Sequence, residues 1–174
     1  PEGYLVPADA KADDKDSLVK MDRLHEVLTA LPCKHGLLVL DCCFAGSFKW
    51  STDTRAEIFD FGQTLYAERF WRYVQHPAWQ VITSSAHDQK AADLLDHQAL
   101  GLREEELTDT KNSPFAWAFK QAIDLNSKAD TQGLKKSDGV VTTTELFLFL
   151  QEVVLTASQN AQRQSPALFT LGNK

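Results

Sequence analysis

The sequence predicts an α/β fold with a mainly parallel central sheet flanked by helices. Short apolar runs of strand length alternate along the chain with segments whose apolar residues recur every three or four positions. Residues 36–41 and 79–86 are such strand-length runs, and continuous apolar runs are typical of parallel strands that are buried on both faces. At 174 residues and 43% hydrophobic, the chain suits one compact domain with a sizeable core.

Two strands and two helices account for the first half of the chain. Residues 3–7 predict a strand that ends at a proline, and an acidic loop follows it. The three- and four-residue spacing of five apolar side chains predicts an amphipathic helix that ends before Pro32: Met21, Leu24, Val27, Leu28 and Leu31. After the strand at 36–41, a polar surface loop leads to a second helix before Pro77, indicated by Leu65, Phe70, Trp71 and Val74.

The second half repeats this alternation. The charged residues 87–112 predict a long loop, and Ser113-Pro114 opens a helix, with serine as its cap and proline at its first position. The inner face of that helix is predicted to consist of Phe115, Ala118, Phe119 and Ile123. A short extended piece at 139–142 precedes a helix that begins at Thr143. The side chains of this helix that are predicted to face the core are Leu146, Phe149, Leu150, Val153 and Val154. Residues 166–172 predict the last strand.

Charge and cysteine content exclude several classes of protein. A net charge of −6, with no basic cluster longer than Lys135-Lys136, argues against direct nucleic-acid binding. No apolar run approaches the roughly 18 to 20 residues that a membrane span needs. The chain has three cysteines, of which two are adjacent, and adjacent cysteines seldom bridge each other. We therefore expect a reducing, cytoplasmic setting, and the cysteine spacing gives no metal site.

One abrupt chemical change interrupts the apolar pattern. Residues 37–47 read Leu-Leu-Val-Leu-Asp-Cys-Cys-Phe-Ala-Gly-Ser, so a strand runs directly into an acid and two thiols. Ligands of open α/β sheets bind beyond the carboxyl ends of the strands, where Ser84 and Ser85 also lie. We expect these two strand ends to converge on one cleft, with a nucleophile at the carboxyl end of the first strand. The alternative is an ordinary buried thiol, because cysteine is among the most buried residue types.

The same residues resemble the caspase-like cysteine peptidases, especially bacterial caspase homologues and metacaspases. "LLVLDCCFAGSF" is similar to their strand ending in Asp-Ser-Cys-His-Ser-Gly, and "GYLVPADA" to the segment after their catalytic-histidine loop. Further similar segments follow in the family's order: "VITSSAHDQKAAD", "NSPFAWAFKQAI", "DGVVTTTEL" and "QSPALFTL". The resemblance covers nearly the whole chain and implies a caspase-like three-layer sandwich over residues 1–174.

By this resemblance the chain is a cysteine endopeptidase that works through a Cys-His dyad. Cys43 attacks the scissile carbonyl, and its own N–H helps to hold the oxyanion. Cys42 points the opposite way along the strand, which predicts that it belongs to the core. In caspases the histidine lies about 50 residues before the cysteine, so we expect it upstream of Pro1, together with the family's first strands. His35 begins the strand that delivers Cys43 and so lies at the opposite end of the sheet, and His25 is expected to be exposed on a helix.

The resemblance also assigns substrate-binding residues. Asp41 matches the acid that binds a basic P1 side chain in metacaspases, which predicts cleavage after Arg or Lys. Ser84, Ser85 and Asp88 match the segment that lines the substrate pocket. Two alternatives stay open: Asp41 caps a neighbouring helix, and the serines serve only the turn. Under the same cleavage rule, the candidate self-processing sites are Lys49 and Arg55.

Cofactor and partner expectations are few. The acids Asp9, Asp13, Asp14 and Asp16 could bind calcium as the acidic loops of some metacaspases do, but we favour a solvated loop and no cofactor. Asp138-Gly139 and Glu145 mimic the end of a calcium loop without its first acids, which predicts a turn and a helix cap. The expected partners are a protein substrate and a regulatory or sensor module in bacterial defence or programmed death. The alternative function is a catalytically inactive caspase-like scaffold.

Overall fold

The computed structural model describes residues 3–46, 48, 71, 74–92, 112–124, 127–131, 139–158 and 163–171, and within them the protein has a mixed α/β fold. In chain order its strands and helices are β1 (Tyr4–Leu5), β2 (Val19–Lys20), α1 (Met21–Ala30), β3 (His35–Leu40), β4 (Ala78–Thr83), α2 (Pro114–Ile123), α3 (Thr143–Ala157) and β5 (Ala167–Thr170). The α/β class predicted from the sequence is thus confirmed. None of the helices in this part of the chain is long and apolar enough to cross a membrane.

The larger sheet has three strands in the order β3-β4-β5, and β1 and β2 form a separate antiparallel pair. β3 and β4 are parallel, from His35 opposite Ala78 to Leu40 opposite Thr83. β5 is antiparallel to β4, with Ala167 opposite Thr83. The described strands therefore depart from the predicted mainly parallel sheet. The reason is that the chain enters β5 at the end where β4 finishes, so β5 must run back along β4.

Helix α1 packs on one face of this sheet. Met21, Leu24 and Leu28 contact a cluster that draws side chains from all three strands: Leu38, Leu40, Trp79, Val81 and Phe169. Alternation along each strand places these side chains on the same face. The helix lies where the sequence predicts it, but its apolar stripe is narrower, since Val27 is 46% and Leu31 41% exposed. Val27 lies off the buried stripe, and Leu31 follows the last helical residue.

Helices α2 and α3 pack together on the opposite face. Val39, Ile82 and Leu168 of the three strands meet a cluster whose helical members are Phe115, Trp117, Ala118, Ala122, Leu146, Phe149, Leu150, Val154 and Ala157. These side chains recur every three or four residues along each helix, as the sequence predicts. The two helices thus bury one shared apolar stripe against the sheet.

The ends of these helices follow local rules, with two corrections. Ser113 caps α2, and Thr142 forms a capping box with Glu145 at the start of α3. Ile123 was predicted on the inner face of α2 but is 61% exposed, because it is the last helical residue and extends past the cluster. Residues 139–142 form a turn and a cap without a strand.

Of three further predictions, one is wrong and two fall mostly outside the described residues. Leu37 is 46% exposed, so β3 is not buried on both faces as predicted; burial along this strand increases toward its carboxyl end. The helix predicted before Pro77 lies mostly outside the described residues, although Trp71 and Val74 are helical there and both are exposed. Most of the charged loop at 87–112 also lies outside them.

Candidate active site

The carboxyl ends of β3 and β4 lie side by side. Leu40 pairs with Thr83 at the end of the parallel ladder, and the N–H of Ser84 donates to the carbonyl oxygen of Leu40 at 2.8 Å. The segments that follow, residues 41–46 (the nucleophile loop) and residues 84–92 (the support loop), therefore lie along one edge of the sheet. The predicted convergence of these two strand ends is confirmed.

Two buried serines hold the backbone just before Cys43. Ser84 and Ser85 are each 0% exposed, and both hydroxyls donate to the carbonyl oxygen of Cys42, at 3.4 and 3.1 Å. Two donors on one carbonyl restrict the orientation of the peptide that leads into Cys43. A role in supporting the turn therefore fits these buried hydroxyls better than the substrate contact expected from the sequence.

Backbone hydrogen bonds join the two loops further along. The N–H of Phe44 donates to the carbonyl of Gln89, and that of Gly46 to the carbonyl of Ser85, both at 2.9 Å. Gly46 comes so close to the support loop that a Cβ added to it would lie 2.6 Å from the backbone nitrogen of His87. Only glycine permits this approach, which explains the glycine at this position of the nucleophile loop.

Cys43 is exposed at the turn of the nucleophile loop. Its sulfur lies 3.9 Å from the carbonyl oxygen of Ala91, and no hydrogen bond among the described residues uses its backbone N–H. The next residue, Phe44, has a φ of 57°, which is uncommon for a residue with a side chain and often marks a functional turn. An accessible thiol beside an unpaired N–H can attack an electrophile and donate to the oxygen that becomes charged.

Cys42 differs from its neighbour. Its side chain is half-buried against the α1 face of the core. Burial, and then the nearby charges of Asp41 and Cys43, raise the pKa of the Cys42 thiol. Because the thiolate is the reactive form, a raised pKa makes Cys42 a poor nucleophile. Its assignment to the core, made from the sequence, agrees with this environment.

Asp41 is exposed and is connected to helix α2. Its Oδ2 accepts a hydrogen bond from the Ser113 hydroxyl at 2.5 Å, and the same hydroxyl oxygen accepts from the N–H of Ala116 at 2.9 Å. The carboxylate thus lies at the positive end of the helix dipole, which supports the helix-capping alternative. No described residue bonds to its Oδ1 or forms an ion pair with it. One carboxylate oxygen therefore serves the helix and the other stays open to a ligand.

The histidines at the amino end of the parallel pair are far from Cys43. His35 begins β3, and its Nε2 lies 2.8 Å from the carbonyl oxygen of His76, just before β4. Cys43 follows the other end of β3. The prediction that His35 cannot serve as its base is therefore confirmed.

The other histidines also leave Cys43 without a bonded imidazole in the described part of the chain. His25 is half-buried against the ring of Phe48, with centroids 6.5 Å apart, so the expectation that it is exposed was wrong. His87 lies in the support loop beside Gly46. His97 lies outside the described residues.

Two glutamines anchor the support loop, and sequence reasoning missed both. Gln164 is 0% exposed; its Nε2 donates to the carbonyl of Ser84, and its Oε1 accepts from the N–H of Ala92, both at 2.8 Å. The Oε1 of Gln89 accepts from the N–H of Ser165 at 2.7 Å. The quoted segments that contain Gln89 and Gln164 give neither side chain a role, so only the tertiary contacts reveal these roles.

The remaining predicted site residues have simpler positions. Asp88 lies exposed on the turn of the support loop. Lys49 and Arg55, the candidate self-processing sites, lie outside the described residues. Where the structure describes the chain, no cluster of three or more His, Cys, Asp or Glu side chains could hold a metal ion.

Some of the acids considered for calcium bind groups that are close to them in the sequence. In the acidic loop, Asp14 accepts from the N–H of Asp16 at 3.0 Å and caps a short 3-10 turn. Glu145 is the acid of the capping box of α3, as predicted. Asp138 lies outside the described residues.

Comparison of the chain with protein-family models, with curated proteins and with solved structures found no match. The resemblance to caspase-like peptidases therefore rests on the short motifs quoted above. The function must be argued from the chemistry of the nucleophile loop and its surroundings.

Proposed function

We propose that this chain is a caspase-like cysteine peptidase domain that cleaves proteins after Arg or Lys. The observation that carries the proposal is Cys43: an exposed thiol at the carboxyl end of a strand, with its backbone N–H unpaired among the described residues. The preceding carbonyl is held by two buried hydroxyls. A structural thiol needs neither exposure nor a fixed donor beside it.

The proposed reaction is acyl transfer through sulfur. The Cys43 thiolate attacks the scissile carbonyl carbon, and the Cys43 N–H donates to the oxyanion. An imidazolium gives its proton to the leaving amine as the C–N bond breaks, and water then hydrolyses the thioester. None of the described histidines bonds to the sulfur. By the resemblance, we propose that a His-Gly segment preceding Pro1 supplies the imidazole.

Asp41 gives the proposed preference for basic residues. Ser113 holds Oδ2, which leaves Oδ1 to receive a guanidinium or ammonium group. A charge-assisted hydrogen bond of this kind favours Arg or Lys at P1 and repels Asp. The net charge of −6 also favours the approach of a basic substrate.

The test is active-site labelling of the full-length protein with a peptidyl chloromethyl ketone that ends in arginine. We expect the label on Cys43, its loss in Cys43→Ala, and much slower reaction with the aspartate analogue. Cys33→Ala is the matched control, since Cys33 is another free and exposed thiol. Labelling that survives Cys43→Ala would remove Cys43 from the mechanism.

A second candidate is a catalytically inactive caspase-like scaffold. The observation that favours it is the lack of a bonded imidazole at Cys43 in the described residues. The same labelling separates the two, because a scaffold would show no more reaction at Cys43 than at Cys33. In either case the resemblance points to a regulatory or sensor partner in bacterial defence or programmed death, and the cysteine content favours a cytoplasmic setting.

A further inference from the structure

Gln164 connects the two ends of the support loop through one buried amide. Its Nε2 reaches the carbonyl of Ser84, where the loop begins, and its Oε1 reaches the N–H of Ala92, where the loop ends. The amide cannot be turned over, because Ser84 offers an acceptor and Ala92 a donor. The backbone of Gln164 is itself fixed, since its N–H donates to the Ser158 hydroxyl at 3.3 Å.

Between these two anchors, the support loop contacts the nucleophile loop at successive points. Ser85 and Gln89 accept from the N–H groups of Gly46 and Phe44. The carbonyl of Ala91, next to the Gln164 anchor, accepts from the Cys43 sulfur at 3.9 Å. A shift of either end of the support loop would therefore be transmitted to the turn that carries the thiol.

Glutamine is suited to this position by its chemistry. A buried amide with one donor and one acceptor satisfied costs little, whereas an apolar side chain would leave a carbonyl and an N–H unpaired. Glutamate has the same size, but its ionised form places a charge and an acceptor against the Ser84 carbonyl, and only its protonated form can donate there. A neutral amide of this length satisfies both partners without binding a proton.

We propose that Gln164 is a positioning residue for Cys43, which fixes the support loop and through it the sulfur and the oxyanion-binding N–H. The inference rests on the proposed peptidase function for its catalytic meaning. Gln164 itself lies buried beneath the loop. Its effect should therefore appear in kcat and in the chemistry of the thiol, with KM little changed.

The experiment compares Gln164→Glu and Gln164→Met with Leu150→Ala, a core variant of α3 that lowers stability without touching either loop. The readouts on full-length protein are kcat for an arginine substrate, the rate of iodoacetamide modification of Cys43 against pH, with Cys33 as internal reference, and the hydrogen exchange of the Phe44 and Gly46 amides. We expect both Gln164 variants to shift the Cys43 profile, to speed exchange at least tenfold, and to lower kcat at least tenfold. We expect Leu150→Ala to show none of these three changes when it is as thermally stable as the Gln164 variants.

Identical Cys43 profiles and exchange rates in the Gln164 variants and Leu150→Ala would overturn the positioning role. If the wild type cleaves no basic substrate while the Gln164 variants still alter thiol reactivity and exchange, the peptidase function fails and the positioning role stands. If the Gln164 variants do not fold, amide hydrogen exchange in the wild type tests the positioning role instead. The amides of Ala92, Phe44 and Gly46 should then open as one unit, and independent opening of Ala92 would contradict the proposal.

Discussion

The two ends of the parallel pair β3–β4 carry similar residue types, yet their backbones are supported in different ways. At the amino end the thiol of Cys33 and the imidazole of His35 lie two residues apart in the sequence, and His76 is bonded to His35. At the carboxyl end Cys43 has no bonded imidazole in the described residues, but two loops fix its backbone. The comparison teaches that backbone support, more than nearby catalytic residue types, distinguishes the end at which we propose the site.

The support beneath the two thiols differs in kind. The Cys33 carbonyl accepts a hydrogen bond from the Trp79 indole N–H at 3.2 Å, and the Lys34 carbonyl accepts one from the Ala78 N–H at 2.9 Å. These contacts close the start of the sheet. Near Cys43, buried hydroxyl and amide groups converge on one turn, and buried polar groups of this kind make a core rigid when their hydrogen bonds are satisfied.

The largest effect is expected at the carboxyl end, from Asp41→Asn. Asparagine still accepts from Ser113, so the helix contact is kept while the charge is lost. A hydrogen bond to a charged group is worth about 1.5–3 kcal/mol, which predicts a fall of roughly ten- to a hundredfold in kcat/KM for arginine substrates. Kinetics with Arg and with uncharged P1 residues measure this change. An unchanged ratio between them would leave Asp41 with the helix-capping role alone.

Alanine substitutions at two glycines sharpen the contrast between the ends. A Cβ at Gly46 would lie 2.6 Å from the backbone of His87, and one at Gly36 would lie 2.4 Å from the buried ring of Trp79. We expect each variant to lose about 1–3 kcal/mol of unfolding free energy by overpacking. Denaturant titration gives the stabilities. Only Gly46→Ala should also change Cys43 alkylation, and an equal change in Gly36→Ala would contradict the separation of the two ends.

The cap of α2 provides a smaller test. Ser113→Ala removes the cap and the donor to Asp41, so we expect a loss of about 1 kcal/mol and a several-fold rise in KM for arginine substrates. Thr142→Ala removes the equivalent cap of α3 and should cost similar stability without changing KM. If both variants raise KM alike, Ser113 does not position the carboxylate.

The smallest expected effect is the pH dependence from Cys42. Since its folded pKa is raised, mainly by burial, the folded state holds the proton more tightly than the unfolded chain. That stabilisation is complete below the ordinary thiol pKa of about 8.5 and is lost as pH rises through the higher folded value. Unfolding free energy should therefore fall less steeply above about pH 8.5 in Cys42→Ala. Equal slopes in the wild type and Cys42→Ala would refute the assignment.

The sequence by itself determined the α/β class, helices α1, α2 and α3 with the caps of the last two, and the acid-thiol turn after β3. These features depend on local periodicity and capping, which a linear pattern records. The sequence also predicted correctly that His35 lies at the end of β3 far from Cys43, because strand length alone sets that distance.

Only the tertiary structure decided the antiparallel course of β5, the burial of Ser84 and Ser85, and the bond from Ser113 to Asp41. It likewise gave Gln164 its role, eighty residues after the serine whose carbonyl it holds. Each of these depends on groups distant in sequence that meet when the sheet forms. A polar residue in a polar segment looks the same whether it faces water or satisfies a buried backbone, so its partner has to be seen in the fold.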